Sequence, residues 1–523
     1  MMALSTKLQA QELLSGPSIR VLASSIVLLF LSWLVSSRSR KEQLPLPPGP
    51  PRLPIIGNLH QAPSGQPWRK YKEWSDKYGP MISVRNGAST TIIVSSWEII
   101  KMHMERKNTI YSHRPPMLFF ERVTGGLNAS VLPYGETWKA HRNIRSSVLK
   151  PSMTVKYREI QHVEVTQLIY ELLSKDDFSP VIRRCIASVF TTLAYGTHVE
   201  QDSDAEIEEL EEINRKITVA SEAVMTGPGA ITALLFPSLG LLSNRWETQA
   251  DALHIQLTTV LEERTKSALR KTTWNWVKEI ENNEKSQCLS LKELSHLVGG
   301  LYEASMAAYQ GLRVIIAAII LFPEAAARAR DELDKAVGKG RLPDFVDCDR
   351  LPWTNAFIKE AMRWRSLSPL GAPRAAFRDD EFMGYRIPRF ATILINTYAI
   401  DHDEKTFPDP FDFKPERWID NPHLPQLLYG FGQRGCPGRH MGQDSLFLVT
   451  SRLLWAFNIE SGESGDLDLE RLLDSAHGTS LSSFMPEFKA KFSPRSAQHR
   501  LVVEEQWESS TQKDSDALLA QVM

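Results

Sequence analysis

The sequence predicts a mainly α-helical protein with a smaller β-region, carried behind an N-terminal transmembrane helix. Residues 155–285 have a mainly helical pattern. The long, nearly uncharged segment 291–322 is hydrophobic on most sides, which is typical of a buried helix. β-Branched runs are short, and the clearest pair, 81–85 and 90–95, flanks Asn86-Gly87, a dipeptide that favours a hairpin turn. Helices should therefore form most of the fold.

The predicted transmembrane helix spans 19–37, in which the uncharged run 21–35 is extended by two residues at each end, and it is barely long enough to cross a bilayer. A cleaved signal peptide is the alternative interpretation, but the run leads into Ser36-Ser-Arg-Ser-Arg-Lys41, which is not a small-residue cleavage site. Basic residues are denser after the run than before it. The positive-inside tendency therefore places residues 1–20 in the lumen and the rest of the chain in the cytosol.

The chain after the anchor is predicted to hold one large domain. Residues 38–54 are basic and then proline-rich, and because proline stiffens extended backbone we expect a rigid hinge here. No repeat or low-complexity linker follows, so a single catalytic domain is expected at 55–503. The last residues, 504–523, are polar and are predicted to form a disordered tail.

The overall charge and the cysteine spacing argue against some classes of function and site. The 523 residues carry a net charge of −1, so nothing in the overall charge argues for a nucleic-acid partner. The four cysteines lie at positions 185, 288, 348 and 436 and form no C-x-x-C pair. That spacing is a poor framework for disulfides or for zinc, and it suits a reducing compartment.

A glycine-rich stretch, Tyr429 to Arg439, carries the clearest chemical signal. It holds Cys436 among four glycines and a proline, and a helical pattern begins directly after it. Arg434 and Arg439 flank the cysteine, and both positive charge and a helix N-terminus favour a thiolate over a thiol. From these residues alone, Cys436 is either a reactive or ligating cysteine or a buried cysteine in a turn.

The spacing of this stretch resembles the haem-binding loop of the cytochrome P-450 family, F-x-x-G-x-R-x-C-x-G. Gly432, Arg434, Cys436 and Gly438 are in register, and Tyr429 stands at the position of the phenylalanine. The resemblance implies the cytochrome P-450 fold, a triangular helical domain enclosing haem b, with Cys436 as the axial thiolate ligand of the iron. It also makes Arg434 and Gly438 cofactor-binding residues.

Two further motifs occur in the family's order. Trp138 and Arg142 lie four residues apart, on one face of a predicted helix. The resemblance makes them partners of a haem propionate, and it gives the same role to Arg374; a surface helix is the alternative interpretation. It also implies a buried ionic network that braces the haem loop, made of the E-x-x-R pair and the arginine of a P-E-R-W segment: Glu360, Arg363 and Arg417.

The central helix departs from the family pattern. Members of the family carry A/G-G-x-D/E-T-T there, an acid next to an alcohol, which delivers protons to dioxygen. Two ways of counting along this chain put either Met306 and Ala307 or Ala307 and Ala308 at those two positions, so the alcohol is replaced by alanine under both. Glu303 and Ser305 are the nearest polar residues, and we expect them to substitute as catalytic groups.

The resemblance implies a monooxygenase that oxidises a hydrophobic small molecule with dioxygen and NADPH-derived electrons. The amino-acid sequences of the motifs resemble those of fungal microsomal members of the family that act in secondary metabolism. This resemblance implies a single-pass protein of the endoplasmic reticulum membrane. NADPH–cytochrome P-450 reductase is the implied partner. A basic set on and after the Trp138 helix is expected to present charge to it: Lys139, Arg142, Arg145, Lys150 and Lys156.

Two alternatives to this function stay open. Because the acid–alcohol pair is missing, the enzyme could catalyse a rearrangement, a dehydration or a peroxide-driven reaction. A non-catalytic haem-binding partner is the second alternative.

The apolar segment 225–242, broken by Gly and Pro, is either a lid that dips into the membrane surface or a buried loop between helices. The sequon at Asn128 is expected to stay unmodified in a cytosolic domain.

Overall fold

The computed structural model describes residues 44–63, 65–200, 205–226, 245–462, 485–511 and 515–522. Several sequence predictions therefore lie outside the described residues. They are the N-terminal segment, the anchor at 19–37, the basic part of the hinge, and nearly all of the segment 225–242. The proposed domain boundaries that depend on them stay predictions.

Helices make up most of the described chain. In chain order the α-helices are α1 Pro67–Tyr78, α2 Trp97–Ile99, α3 Leu118–Val123, α4 Glu136–Leu149, α5 Pro151–Thr154, α6 Arg158–Glu171, α7 Phe178–Tyr195, α8 Ala205–Thr226, α9 Arg245–Arg270, α10 Trp276–Glu281, α11 Leu291–Glu303, α12 Ser305–Leu321, α13 Pro323–Ala336, α14 Pro352–Trp364, α15 Thr397–Asp401, α16 Glu416–Asp420, α17 Arg439–Ala456, α18 Ala497–Thr511 and α19 Ser515–Ala520. Shorter helical turns are Leu59–Gln61, Ile100–Met104, Val155–Tyr157, Glu284–Ser286, Phe345–Arg350 and Gly432–Arg434.

The larger sheet has four strands in the spatial order β1-β2-β6-β3. The predicted hairpin is present as β1 (Met81–Asn86) and β2 (Ser89–Val94), which pair antiparallel. Strand β2 also pairs in parallel with β6 (Thr392–Ile395), and β6 pairs antiparallel with the short β3 (Arg374–Ala375). The register between β3 and β6 matters for function, because it fixes Arg374 opposite Ile393.

Two further hairpins complete the β-region. Strands β7 (Phe457–Ser461) and β8 (Ala490–Pro494) pair antiparallel in the larger of two compact units into which the chain divides. The described part of the smaller unit comprises residues 44–47 and Asp379–Ile387. Within it, β4 (Asp380–Phe382) and β5 (Tyr385–Ile387) pair antiparallel, and the N–H of Arg386 donates to the carbonyl oxygen of Pro45 at 2.8 Å.

The predicted central helix is two helices with a break between them. Helix α11 begins with a capping box made by Ser290 and Glu293, and α12 ends where Pro323 starts α13. Ala304 separates α11 from α12, so the prediction of one unbroken helix was wrong at this residue. In the part of the chain that the structure describes, Leu291–Leu321 is the one stretch with the length and composition of a membrane span. Its packing against α7, α14 and α17 makes it a core helix.

The C-terminal residues do not form the disordered tail that the sequence predicted. Helix α18 continues to Thr511, and α19 follows it. Trp507 of α18 stacks on Tyr170 of α6 with ring centroids 5.6 Å apart. Leu519 of α19 is fully buried in a core cluster with α4 and α10 residues. The polar composition concealed this packing because the few apolar side chains lie on the faces that contact the domain.

Candidate active site

Cys436 lies in a glycine-rich loop that leads directly into α17. Its N–H donates to the carbonyl oxygen of Tyr429 at 2.8 Å, which folds the loop back on itself. Gly432 has φ of +62°, in the left-handed region that favours glycine. A Cβ on Gly432 would also lie 2.7 Å from Oδ1 of Asn108. The loop therefore requires glycine here, and it presents the cysteine side chain at an exposed position just before the helix.

The acidity of the Cys436 thiol differs from the sequence prediction. Part of the Cys436 residue is accessible to solvent. The surrounding protein nevertheless desolvates the thiolate, and this burial raises the pKa of the thiol. The N–H of Gly438 and the charges of Arg142 and Arg439 oppose that rise without overcoming it. Of the two flanking arginines predicted to favour a thiolate, Arg439 does lower the pKa of the thiol, but burial outweighs its effect. The guanidinium of Arg434 is directed instead toward backbone carbonyls.

The fully buried carboxylate of Glu360 is the centre of a hydrogen-bonded network. Arg363 donates to both its oxygens at 2.8 and 2.9 Å, and Nε of Arg417 donates to one of them at 3.2 Å. The indole N–H of Trp418 donates to Glu360 at 2.9 Å, and so does the N–H of Lys414. Remaining N–H groups of both arginines donate to backbone carbonyls of residues 401–412. The three residues that the sequence grouped are together, and the structure adds Trp418 to them.

Four arginines gather beside the cysteine loop. Three of them, Arg142, Arg374 and Arg434, were singled out in the sequence, and the structure adds Arg114. No sequence signal distinguishes Arg114 from the other arginines of its loop. Trp138 is buried beneath them, with the guanidinium of Arg434 4.2 Å from its ring centroid. The predicted group therefore lies together around one region of the molecule.

Backbone carbonyls hold three of these guanidinium groups in place. Arg434 donates to the carbonyl oxygens of Ser112, Ala129 and Leu132 at 2.8, 3.2 and 2.7 Å. Arg374 donates to the carbonyl oxygen of Phe431 at 2.8 Å, and its guanidinium lies 3.8 Å from the ring centroid of the same residue. Arg114 donates to the carbonyl oxygens of Ser130, Ala372 and Pro373. These bonds orient the cations but do not neutralise them.

The pKa values express this uncompensated positive charge. Burial, followed by repulsion from Arg114, Arg374 and Arg142, lowers the pKa of Arg434 to about 8. Burial and the charge of Arg114 lower the pKa of Arg374 to about 9, although Glu105 opposes the change. Burial lowers the pKa of Arg114 to about 10. A cluster of this kind is stabilised by a bound anion, because added negative charge relieves the mutual repulsion.

The break in the central helix opens one of its faces. Ala304 and Ala307 are exposed, although they lie in the middle of an otherwise buried pair of helices. Met306 and Ala308 are half-buried. Of the two predicted substitutes for the missing acid and alcohol, Ser305 is buried in the protein interior, away from the exposed alanines. Glu303 is the polar residue that immediately precedes the break.

Glu303 is held by residues outside its own helix. The amide Nδ2 of Asn128 donates to its Oε2 at 2.8 Å. Burial raises the pKa of the Glu303 carboxyl, while the charge of Arg145 and the Asn128 bond oppose the rise. The amide of the Asn128 sequon is therefore engaged inside the protein. Sequence spacing gave no signal for the contact, because Asn128 and Glu303 are 175 residues apart.

The basic set expected to face a redox partner does not form one exposed surface. Arg145 is buried, and its guanidinium faces α11. Lys139 is paired with Glu136 at 2.8 Å, and Lys156 donates to the carbonyl oxygen of Val522 at 2.7 Å. Arg142 is half-buried near Cys436. The expectation was thus wrong for the set as a whole, because helix periodicity turns Arg145 inward.

The residues present fit a haem group. A porphyrin iron needs only one protein ligand, and among the described residues no cluster of three or more His, Cys, Asp or Glu could bind a bare metal ion. Cys436 supplies a side chain with a soft ligand atom, and the arginine cluster supplies the charge that two propionates require. The exposed Ala304 and Ala307 offer a small-residue surface on the central helix.

Comparison with known proteins agrees with this chemistry. Residues 47–477 match the sequence model of the family described as Cytochrome P450, written cytochrome P-450 here. A fumitremorgin C synthase of Neosartorya fischeri is 55% identical over 506 residues, covering 94% of this chain and 96% of that protein. The echilunin cytochrome P-450 monooxygenase of Aspergillus ruber is 44% identical, covering 98% and 96%.

A solved structure shows the same fold. It is a zebrafish cytochrome P-450 with abiraterone, with a TM-score of 0.68 at 22% identity, and the match covers 82% of this chain and 100% of that one. The mainly helical fold with small sheets, the recognition of the family and the enzyme class predicted from the sequence are thereby confirmed. The chain belongs to the cytochrome P-450 family and is a monooxygenase, an oxidoreductase related to enzymes of fungal secondary metabolism.

Proposed function

We propose that the chain binds haem b with Cys436 as the axial thiolate ligand and oxidises a hydrophobic small molecule with dioxygen and NADPH-derived electrons. One observation carries the cofactor assignment. Beside the cysteine loop, burial and then the charges of Arg114, Arg374 and Arg142 lower the pKa of Arg434 to about 8. The two propionates of haem b would supply the missing negative charge.

The chain's own residues would hold the group in defined ways. Arg374 and Arg434 are fixed by backbone carbonyls, so their remaining N–H groups are directed before a ligand arrives. Trp138 would add its indole N–H. The N–H of Gly438, which donates to Cys436, would stabilise the thiolate form. The Glu360 network would keep the segment before the loop rigid.

When bound, a haem with a thiolate ligand supplies the reductive activation of dioxygen, because the thiolate donates electron density to the iron. The protein's part is to position the substrate, to exclude bulk water and to move protons. The exposed alanines of the central helix would form a wall of the substrate space. The electron donor would approach on the side of the Cys436 loop.

The substrate is proposed from the relatives. Two fumitremorgin C synthases, from Neosartorya fischeri and Aspergillus fumigatus, share 55% and 54% identity with this chain along almost its whole length. Identity at this level favours a substrate chemically related to theirs, in a secondary-metabolite pathway. We infer that the product belongs to the same chemical class as fumitremorgin C.

The partner and location follow from the same proposal. A eukaryotic enzyme of this kind would receive electrons from NADPH–cytochrome P-450 reductase. The run at 19–37 would anchor it in the endoplasmic reticulum membrane with its domain in the cytosol. The proline-rich hinge before residue 55 would hold the domain near the membrane surface.

A second candidate reaction is favoured by one observation. Ala307 in one register, or Ala308 in the other, replaces the alcohol of the family's acid–alcohol pair. A rearrangement or dehydration, or a reaction driven by peroxide, needs no proton delivery for cleavage of dioxygen. This candidate predicts product formation in the absence of NADPH.

Expression with a reductase in a host that makes candidate substrates, followed by mass spectrometry, tests the proposal. A product that needs both NADPH and dioxygen, with one oxygen gained or two hydrogens lost, is the expected result. A rate unchanged when both are removed would overturn it and would favour the second candidate.

A further inference from the structure

Small residues lie on both sides of the break in the central helix pair. Gly300 precedes the break in α11, Ala304 forms it, and Ala307 follows it in α12. Ala304 and Ala307 are exposed there, and Glu303 immediately precedes the break. The missing acid–alcohol pair leaves this region without a proton donor of its own.

Glu303 is the acid nearest to the break; one residue from another element holds it by a hydrogen bond, and a second acts on its charge. Nδ2 of Asn128, in the loop after α3, donates to its Oε2 at 2.8 Å. Arg145 of α4 approaches it closely enough to lower the pKa of its carboxyl. Nη2 of Arg145 donates to the carbonyl oxygen of Leu297 at 3.3 Å, so the guanidinium lies against α11.

Gly300 makes the position of Arg145 possible. A Cβ on residue 300 would lie 2.5 Å from Nη2 of Arg145, so any side chain there would displace the guanidinium. Glycine is otherwise unfavourable in a helix interior. Its location under Arg145 shows that the close approach of this cation to the helix depends on the missing side chain.

Buried polar atoms without protein partners occur on Arg145 and on two residues that interact electrostatically with Arg145 or Glu303. Within the described chain, Nε of Arg145, Nδ1 of His141 and the hydroxyl of Tyr195 are buried and make no hydrogen bond. Glu303 acts electrostatically on Tyr195, and Arg145 acts on His141, so these groups form one polar region. Because buried polar atoms are nearly always paired, ordered water is the expected partner.

The polar region reaches the surface at Glu293. His141 of α4 and Glu293, a capping residue of α11, interact electrostatically, and Glu293 is part-exposed. Electrostatic interactions link Glu293 to His141, His141 to Arg145, and Arg145 to Glu303. The groups facing the Glu303 carboxyl are Arg145 from α4, Tyr195 from α7 and the neutral Asn128.

We propose that Glu303, positioned by Asn128 and Arg145, delivers protons to the open face at Ala304 and Ala307, and that solvent reprotonates it through the His141 region. In each transfer the O–H bond of the Glu303 carboxyl breaks toward water at that face, and the carboxylate then takes up a proton from the hydrated path. The proposal rests on the proposed monooxygenase function, in which dioxygen, two electrons and two protons yield one inserted oxygen and one water.

The first test measures the protonation state of the Glu303 carboxyl. Infrared difference spectra of the holoenzyme across a pH series should show a protonated carboxyl band that Glu303→Gln removes. Asn128→Ala and Arg145→Met should each move its titration to higher pH, because each removes a group that stabilises the carboxylate. A band insensitive to both changes would contradict the positioning roles. Glu262→Gln, which removes a part-exposed carboxyl of α9 that pairs with Lys266, is the control and should leave the band unchanged.

The second test measures coupling with reductase, NADPH and dioxygen. Glu303→Gln should lower product formed per NADPH at least about ten-fold and raise peroxide, because a positioned general acid typically contributes more than that. Unchanged coupling in a variant that keeps its ferrous–carbon monoxide spectrum would overturn the proton path alone. Product from the unmodified protein without NADPH and dioxygen would overturn the monooxygenase function and the path with it. If Glu303→Gln fails to fold, the titrations of the carboxyl band in Asn128→Ala and Arg145→Met still test the proposal.

Discussion

The hydroxyl of Tyr429 lies 3.2 Å from the position that a Cβ on residue 442 would take, and residue 442 is glycine. The two residues belong to the start of the cysteine loop and to the first turns of α17. In the part of the chain that the structure describes, the hydroxyl is buried without a hydrogen-bond partner. Burial raises the pKa of Tyr429 far above its usual value. Tyrosine at this position, where the family has phenylalanine, is thus matched by the glycine.

This relationship predicts a coupled pair of substitutions. Tyr429→Phe should raise the free energy of unfolding by about 1 kcal/mol, because it removes a buried hydroxyl that makes no hydrogen bond. Gly442→Ala should stabilise the protein more when combined with Tyr429→Phe than when made alone, since alanine favours a helix interior and only the tyrosine crowds it. Chemical denaturation of the four proteins measures both effects. Strict additivity would show that the hydroxyl does not occupy the glycine's space.

Glu360 should be among the most sensitive residues of the fold. Glu360→Gln leaves Arg363 and Arg417 without their carboxylate inside the protein, and we expect a loss of about 3 kcal/mol or more in the free energy of unfolding. Glu416→Gln, which breaks the exposed pair with Arg328, is the matched control and should cost less than about 1 kcal/mol. Equal losses in the two variants would show that the Glu360 network contributes no more than a surface pair.

Arg434 should govern retention of the haem. Arg434→Met removes a charged donor that the proposal directs to a propionate, so haem transfer to apomyoglobin should accelerate about ten-fold or more. Arg106→Gln, at an exposed position outside the cluster, should leave the rate unchanged. If haem transfer from Arg434→Met is as slow as from the unmodified protein, Arg434 does not bind the cofactor.

The C-terminal helices should contribute to stability. Leu519→Ala creates a cavity at a fully buried position, and we expect a loss of about 2 kcal/mol or more in the free energy of unfolding. Leu501→Ala, at a side chain that is 53% exposed, should change it by less than about 0.5 kcal/mol. A wild-type unfolding curve for Leu519→Ala would mean that α19 does not pack as described.

The sequence predicted local and motif-based features well. The hairpin at Asn86-Gly87 follows from turn chemistry, and Glu360 and Arg363 meet because three residues separate them on a helix. Contacts between distant segments were missed. Asn128 meets Glu303, and Arg114 joins Arg434, only because tertiary packing brings separate loops and helices together. Polar composition likewise concealed the buried Leu519.

The acidity of Cys436 shows a different limit. Neighbouring positive charge in the sequence suggested a thiolate, but Arg434 is directed to the carbonyls of Ser112 and Leu132. Burial then dominates and raises the thiol pKa. The sequence shows which charged residues are close to Cys436 along the chain. The direction of each side chain, which the sequence does not show, decides which of these charges act on the sulfur.

The ferrous–carbon monoxide spectrum of the haem-loaded protein tests the central claim most directly. Because Cys436 is proposed as the axial ligand, the unmodified protein should show the band characteristic of thiolate ligation, and Cys436→Ser should lose it. Cys288→Ser, at another exposed cysteine, should keep the band. A thiolate band that persists in Cys436→Ser would contradict the assignment of Cys436 and the function built upon it.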